Sequence, residues 1–382
     1  MAADNYDPFA RGPYPAGVRT IEAVDTTRNR VFPCELWYPA APEYSGRDLA
    51  PETQDEFIVP PRPPHHQMSV RDARARAGTW PLIAFSHPSL VHRRSATYLC
   101  THLASHGYVV AALDHSEVVA PELAWREGAT EEETKARINE IISSRVPDIR
   151  VLLDRLLEAA PFDPDVALDA NRIGIAGHSA GGWTAIATPD YESRIHAVVA
   201  LAPGGASNPR PGILPLKLSF EWERDVPTLL LAAENDAALP LVGMHEIYER
   251  IPATKRMVIL RRAEWRRGLS RTEGSAGRSL IRGILALQIL TQSGSSDPMI
   301  CSPLADVICD NARIDDCQPV QRYLRRWDHR LVLPPPTHQT QIRLSVYGGV
   351  CTSKSPAVIA VRRWRNRSID LRLAATARPV YG

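Results

Sequence analysis

The stretch Asn171-Arg-Ile-Gly-Ile-Ala-Gly-His-Ser-Ala-Gly-Gly-Trp183 leaves the chain few options. An apolar run of strand length, Arg172–Ala176, leads into Gly177-His178-Ser179-Ala180-Gly181, and an apolar helix follows. A G-x-S-x-G segment between a strand and a helix makes a sharp turn that lifts a serine hydroxyl above a sheet. Gly177 and Gly181 let the two backbones approach with no Cβ between them, while Ser179 must hold a backbone conformation that L-residues avoid. The pattern alone arises by accident often enough to be weak. Its strand and helix neighbours make chance a poor explanation, so Ser179 reads as a nucleophile.

The surrounding chain supplies the sheet such a turn needs. Val18–Asp25 and Val31–Tyr38 alternate apolar and polar residues, as an opening hairpin does. Trp80–Ser86 and Tyr108–Leu113 are apolar runs flanking a helix over about 94–106, which makes a βαβ unit and a parallel sheet. Helical spacing runs through 130–160, where Pro147 predicts two helices or a kinked one. Further strands follow at Ile195–Leu201, Pro227–Ala233 and Lys255–Leu260, with a helix over about 241–250. This is an α/β chain: an α/β-hydrolase fold with a mostly parallel central sheet and helices on both faces. Two excursions interrupt it near the site, a Pro-rich one at 39–79 and a Pro/Gly-rich one at 203–226, the second a lid or pocket wall. The His65-His66 pair within the first reads as solvated rather than metal-binding.

Past residue 260 the character of the chain changes. Residues 1–260 hold 25 Lys+Arg against 34 Asp+Glu, a net of −9, whereas 261–382 hold 20 against 9, a net of +11. Phenylalanine is absent after Phe220, and four of the six cysteines come after residue 300. Such a shift marks a boundary: a hydrolase domain over 1–262, and an atypical basic, irregular tail over 263–382 with one helix at about 278–291. Arginine outnumbers lysine 41 to 4, as GC-rich coding DNA would give, and a changed reading frame in such DNA yields a tail of this kind. Disorder is the other reading of the tail. Cys301, Cys309 and Cys317 are spaced too widely for a zinc site, and the Arg362–Arg367 run reads as solvated rather than as a nucleic-acid contact. The Met1 end carries no signal-peptide pattern and no apolar stretch approaches the length of a membrane span, so a soluble, cytoplasmic protein is expected. A tail replacing the last helix of the fold would expose apolar surface, which predicts poor solubility or a homodimer.

A serine nucleophile needs an acid, a base and an oxyanion hole. In this fold the acid and the histidine follow the serine in that order, and Asp236, just past the strand ending at Ala233, fits the acid; a turn or helix cap is its structural alternative. Ala180 N–H supplies one oxyanion donor, and since Pro88 has no N–H, Ser89 supplies the second. The base belongs in the loop after Leu260, yet Arg261-Arg-Ala-Glu-Trp265-Arg-Arg contains no histidine. His245, His329 and His338 are the weak substitutes. Loss of a triad histidine costs on the order of 10⁶ in kcat, so two readings stand: a working serine esterase whose base is one of these three, or an impaired hydrolase that at most binds ligands or partners.

Asp7-Pro-Phe-Ala-Arg-Gly-Pro-Tyr-Pro15, Glu35-Leu-Trp-Tyr-Pro39, Pro81-Leu-Ile-Ala-Phe-Ser-His87, Leu103-Ala-Ser-His-Gly-Tyr-Val-Val110 and Gly177-His-Ser-Ala-Gly-Gly182 together carry a resemblance. Over 7–262 the chain resembles the platelet-activating-factor acetylhydrolase branch of the α/β-hydrolases, which borders on dienelactone-hydrolase-like proteins. The resemblance implies a serine esterase that removes short acyl groups from a small ester or lipid-like substrate, with no metal or cofactor. It also implies Ser179 as nucleophile and Asp236 as acid. The sequence departs from that family at Pro88, where glycine is usual, and at Trp265, where a histidine followed by an aromatic is usual.

Overall fold

Short runs of valine, leucine, isoleucine and alanine that are apolar on both faces are stable only in a sheet covered on both sides. The computed structural model describes residues 10–59, 63–89, 91–124, 126–159, 161–210 and 213–260, and four strands beyond them. The chain opens with an antiparallel hairpin, β1 (Ala16–Asp25) and β2 (Arg30–Pro39). Three short strands follow: β3 (Asp55–Phe57), β4 (His65–Gln67) and β5 (Val70–Arg71). Then come β6 (Gly78–Ser86), α1 (Thr97–Ser105), β7 (Val109–Leu113), α2 (Ser116–Val119) and α3 (Glu131–Leu157). The elbow joins β8 (Val166–His178) to α4 (Ala180–Ala187), and β9 (Ala197–Leu201), β10 (Thr228–Ala233), α5 (Leu241–Arg250) and β11 (Lys255–Leu260) complete the alternation.

Along the sheet the order is β11-β10-β9-β8-β6-β7-β2-β1-β5. Every pair from β11 to β7 is parallel, and β2 and β1 add antiparallel strands at one side. With helices on both faces and the elbow at the centre, this is the α/β-hydrolase fold. Apolar side chains of α3, α4 and α5 cover one face of the sheet, and α1 covers the other. Among the described residues no helix is long and apolar enough to cross a membrane.

Three expectations change or narrow. First, of the two forms expected around Pro147, the structure has the single helix, α3 continuing through the proline. A capping box starts it, with Thr130 Oγ1 accepting from Glu133 N–H and the Glu133 carboxylate accepting from Thr130 N–H, and Val146 before the proline and Ile149, Leu152 and Leu156 after it pack into the core against the sheet. One lost hydrogen bond does not overcome that packing. Second, the residues around β5 in the 39–79 excursion join the sheet at its β1 edge, β5 lying five places from β8. Buried Glu35 draws them there, pairing with Arg71 at 2.7 Å, while Arg71 also clasps Asp55 at 2.7 and 2.8 Å. Third, the region read as an irregular tail contributes β12 (Arg330–Leu333), β13 (Thr340–Tyr347), β14 (Ala357–Arg363) and β15 (Ile369–Ala375). They extend the sheet beyond β11 in the order β14-β15-β13-β12, β14 pairing parallel with β11. Val358-Ile-Ala-Val361 and Ile369-Asp-Leu-Arg-Leu373 have the β-branched or alternating character of strands. The helix expected at about 278–291 lies outside the described residues.

Candidate active site

Parallel strands present their carboxyl ends on one side, and β8 delivers Ser179 there. Ser179 has φ 56° and ψ −115°, a combination open to glycine and costly for other residues. It is half-buried between buried His178 and Ala180, the most open residue of that turn. The close approach the sequence anticipated is present. A Cβ on Gly177 would lie 2.1 Å from Gly181 O, and one on Gly181 would lie 2.0 Å from Ser86 O and 2.7 Å from His87 O. The elbow is therefore pressed against the loop that follows β6. Ser89 stands half-buried in the turn of that loop, and Ala180 opens α4. A helix start concentrates N–H dipoles at its first turn. Burial alone pushes the His178 imidazole down to about 3, so it stays neutral behind the serine.

The 203–226 segment also meets the elbow. Gly204 N–H donates to Ser179 O at 3.0 Å, Trp183 Nε1–H donates to Lys217 O at 2.6 Å, and Leu216 and Leu218 pack beside Gly204 and Gly205.

Asp236 follows β10, two strands from β8, and is 6% exposed. Its Oδ1 accepts from Ala238 N–H at 2.8 Å and Leu239 N–H at 2.9 Å. Its Oδ2 is buried and meets no hydrogen-bond donor among the described residues. One oxygen thus shapes the turn, and a buried acceptor such as the other costs about 1–3 kcal/mol where no donor reaches it. The structure does not bring His245 to the elbow: it lies exposed on the outer side of α5, in line with Val242 and Glu249. His329, His338 and Trp265 lie outside the described residues.

A second constellation, not singled out from the sequence, lies directly behind the loop that follows β6. Ser86 Oγ and His115 Nε2 are 2.8 Å apart, and His115 Nδ1 and Asp148 Oδ2 are 3.1 Å apart, with all three residues fully buried. Asp148 also accepts from Ser116 N–H and Oγ–H, each at 2.8 Å, and from Arg28 Nη1 at 2.8 Å. Burial would raise its carboxyl, but the hydrogen bonds and charge of His115 and the Ser116 bonds outweigh it, holding it below the usual carboxylate range. His115 N–H donates to His87 Nε2 at 3.1 Å, so the His87 proton sits on Nδ1, which donates to Pro88 O at 2.6 Å. Burial, and then the charges of His115 and Arg145, hold the His87 imidazole well below its ordinary value. The signal for this network was present: histidines at the ends of consecutive strands, and Arg145 and Asp148 interrupting the apolar stripe of α3. Among the described residues no group of three or more His, Cys, Asp or Glu could hold a metal ion.

The sequence profile of the chlorophyllase family matches residues 52–221. Chlorophyllase-1, chloroplastic, of Citrus unshiu is 24% identical over 178 residues, 47% of this chain and 48% of its own. Cutinase est1 of Thermobifida alba is 26% identical over 179 residues, 46% of this chain and 49% of its own. The chain thus spans about half the length of these curated relatives. The structure of a ferulic acid esterase from Streptomyces cinnamoneus aligns over 67% of this chain and 74% of its own, with 26% identity and a TM-score of 0.46.

Proposed function

We propose that the chain hydrolyses carboxylic esters with short acyl groups through Ser179. The observation that carries this reading is the serine itself, half-open in a strained conformation at the end of a central strand. Strain of this kind persists where the surroundings over-determine it, and it concentrates at functional sites. In the proposed reaction Ser179 Oγ attacks the ester carbonyl carbon and gives its proton to a base. The carbonyl oxygen becomes an oxyanion that Ala180 N–H and Ser89 N–H receive. Collapse breaks the bond to the alcohol, which leaves with the proton from the base, and water then releases the acyl group by the same steps. Asp236 is the acid, and its Oδ2, which no donor reaches among the described residues, is where the N–H of an imidazole base would donate. Acetyl-type specificity follows the resemblance to acetylhydrolases. The matched esterases support ester cleavage in general.

A second reading has its own observation. No histidine stands between His245 and His329 in the sequence, and His245 is exposed on α5. In that reading the chain keeps the fold and the serine but lacks the base, and acts at most as a ligand-binding or interaction protein. Labelling with a fluorophosphonate at neutral pH, with and without added imidazole and with Ser179→Ala as control, separates the two. Labelling without imidazole supports the esterase, and a histidine scan would then find the base. Labelling that requires imidazole supports the second reading. No labelling of a folded sample in either condition overturns Ser179 as nucleophile.

A further inference from the structure

The buried polar cluster behind the elbow contains one cation that touches both sides of the proposed oxyanion hole. Arg145 sits on α3 with no solvent exposure. Its Nη1 donates to His87 O at 2.9 Å and reaches Thr184 Oγ1 at 3.4 Å and Ser86 Oγ at 3.5 Å. Thr184 Oγ1 in turn donates to Ala180 O at 3.0 Å. On its far side the guanidinium pairs with Glu117, itself nearly buried, through Nε at 3.1 Å and through Nη2. The charge is therefore neutralised on one side while Nη1 faces the loop after β6 through His87 O and α4 through the Thr184 hydroxyl.

We propose that Arg145 is the positioning residue of the oxyanion hole, tying the loop that carries Ser89 to the helix turn that carries Ala180. The inference rests on the hydrolase reading above and adds to it a group that touches no substrate. A guanidinium is planar and rigid, so one group anchored by Glu117 fixes the distance between the two segments. The loop side is fixed in direction as well. Arg145 holds the His87 carbonyl, His115 N–H holds the His87 ring, and that ring holds Pro88 O. In a trans peptide the N–H points opposite to the carbonyl of the preceding residue, so fixing Pro88 O turns the Ser89 N–H away from the buried ring. Pro88 makes the arrangement stiffer, since its ring fixes φ.

Misplacing a catalytic group by an ångström costs up to about 100-fold in rate. The test measures kcat and KM on p-nitrophenyl acetate, the fluorophosphonate labelling rate, and the melt. Arg145→Met is combined with Glu117→Gln so that no unpaired charge is left buried. The expected result is kcat and labelling rate about 10- to 100-fold lower with KM within about 2-fold. Arg145→Lys, which keeps the charge and one donor, should recover part of the loss. Thr184→Val, close in shape, should lower kcat by about 3-fold and decides the matter if the Arg145 variants do not fold. Folded variants with wild-type kcat, or with only KM raised, overturn the proposal. A wild-type chain without Ser179-dependent turnover or labelling takes down the hydrolase reading and this inference with it, an outcome distinguished by the wild-type control.

Discussion

His178 makes the stability of this fold sensitive to mild acid in a way that can be calculated. Its imidazole titrates near 6.5 when unfolded and about 3 when folded. A base whose folded pKa is depressed is neutral in the folded state while the unfolded state takes up a proton, so stability falls as pH drops below about 6.5 and levels off below the folded value. At pH 5 the unfolded chain gains RT ln(1 + 10^1.5), about 2 kcal/mol, from this one group. Any folded value well below 5 gives the same figure. His87 adds in the same direction. The carboxyls held low, Asp25 at about 2 and Asp148, lose their stabilisation only as pH falls below the ordinary carboxylate range near 4, outside this window. Urea midpoints followed by tryptophan fluorescence from about pH 8 to about pH 5 should therefore decline in the wild type. In His178→Gln the decline should shrink by about 2 kcal/mol at pH 5. Parallel declines in the two proteins would refute the reasoning, because they would place the titrating group elsewhere.

Two further outcomes follow from the elbow. Ser179→Gly should melt higher, with about 1 kcal/mol gained from relief of the φ 56°, ψ −115° conformation, while fluorophosphonate labelling disappears; an unchanged or lower melting temperature would mean that Ser179 is not strained. Gly181→Ala places a Cβ against the Ser86 and His87 carbonyls and should cost at least about 2 kcal/mol, read as a lower urea midpoint; a wild-type midpoint would show that the loop after β6 yields freely.

Sequence patterns revealed the scaffold of the site and missed its support. Strands buried on both faces read as continuous apolar runs, so β6 to β11 were legible, and the bounds of α5 and β11 match the structure to the residue. Boundaries failed where packing overrides local preference. Pro147 looked like a break or a kink, yet the buried stripe of α3 carries the helix past it. The start of β8 at Val166 was invisible because Asp169 and Asn171 interrupt the apolar pattern and the strand was read only from Arg172, although the segment before it pairs with Gly78–Pro81 of β6. Local preference offered Asp236 either a turn role or the acid's role, not the division found, in which one oxygen bonds its turn and the other meets no donor among the described residues. That division depends on the fold of the turn and on what reaches it from elsewhere in the chain.

The network around Arg145, His115 and Asp148 was the least legible part, and the strain at Ser179 gives a physical reason for its presence. A serine with positive φ relaxes unless neighbouring segments leave it no room. On the helix side, Gly181 is pressed against Ser86 O and His87 O. That contact restrains the elbow only if the loop carrying those carbonyls is itself immobile. Apolar packing alone holds a loop poorly, since its backbone groups need partners. Buried charges are expensive unless fully bonded, but once bonded they accept few alternative geometries. His87 O on Arg145, Ser86 Oγ on His115 and His115 on Asp148 supply such bonds. The strain at the serine and the polar cluster behind it are therefore coupled, and loosening the cluster should relax the elbow even though no cluster side chain needs to touch substrate.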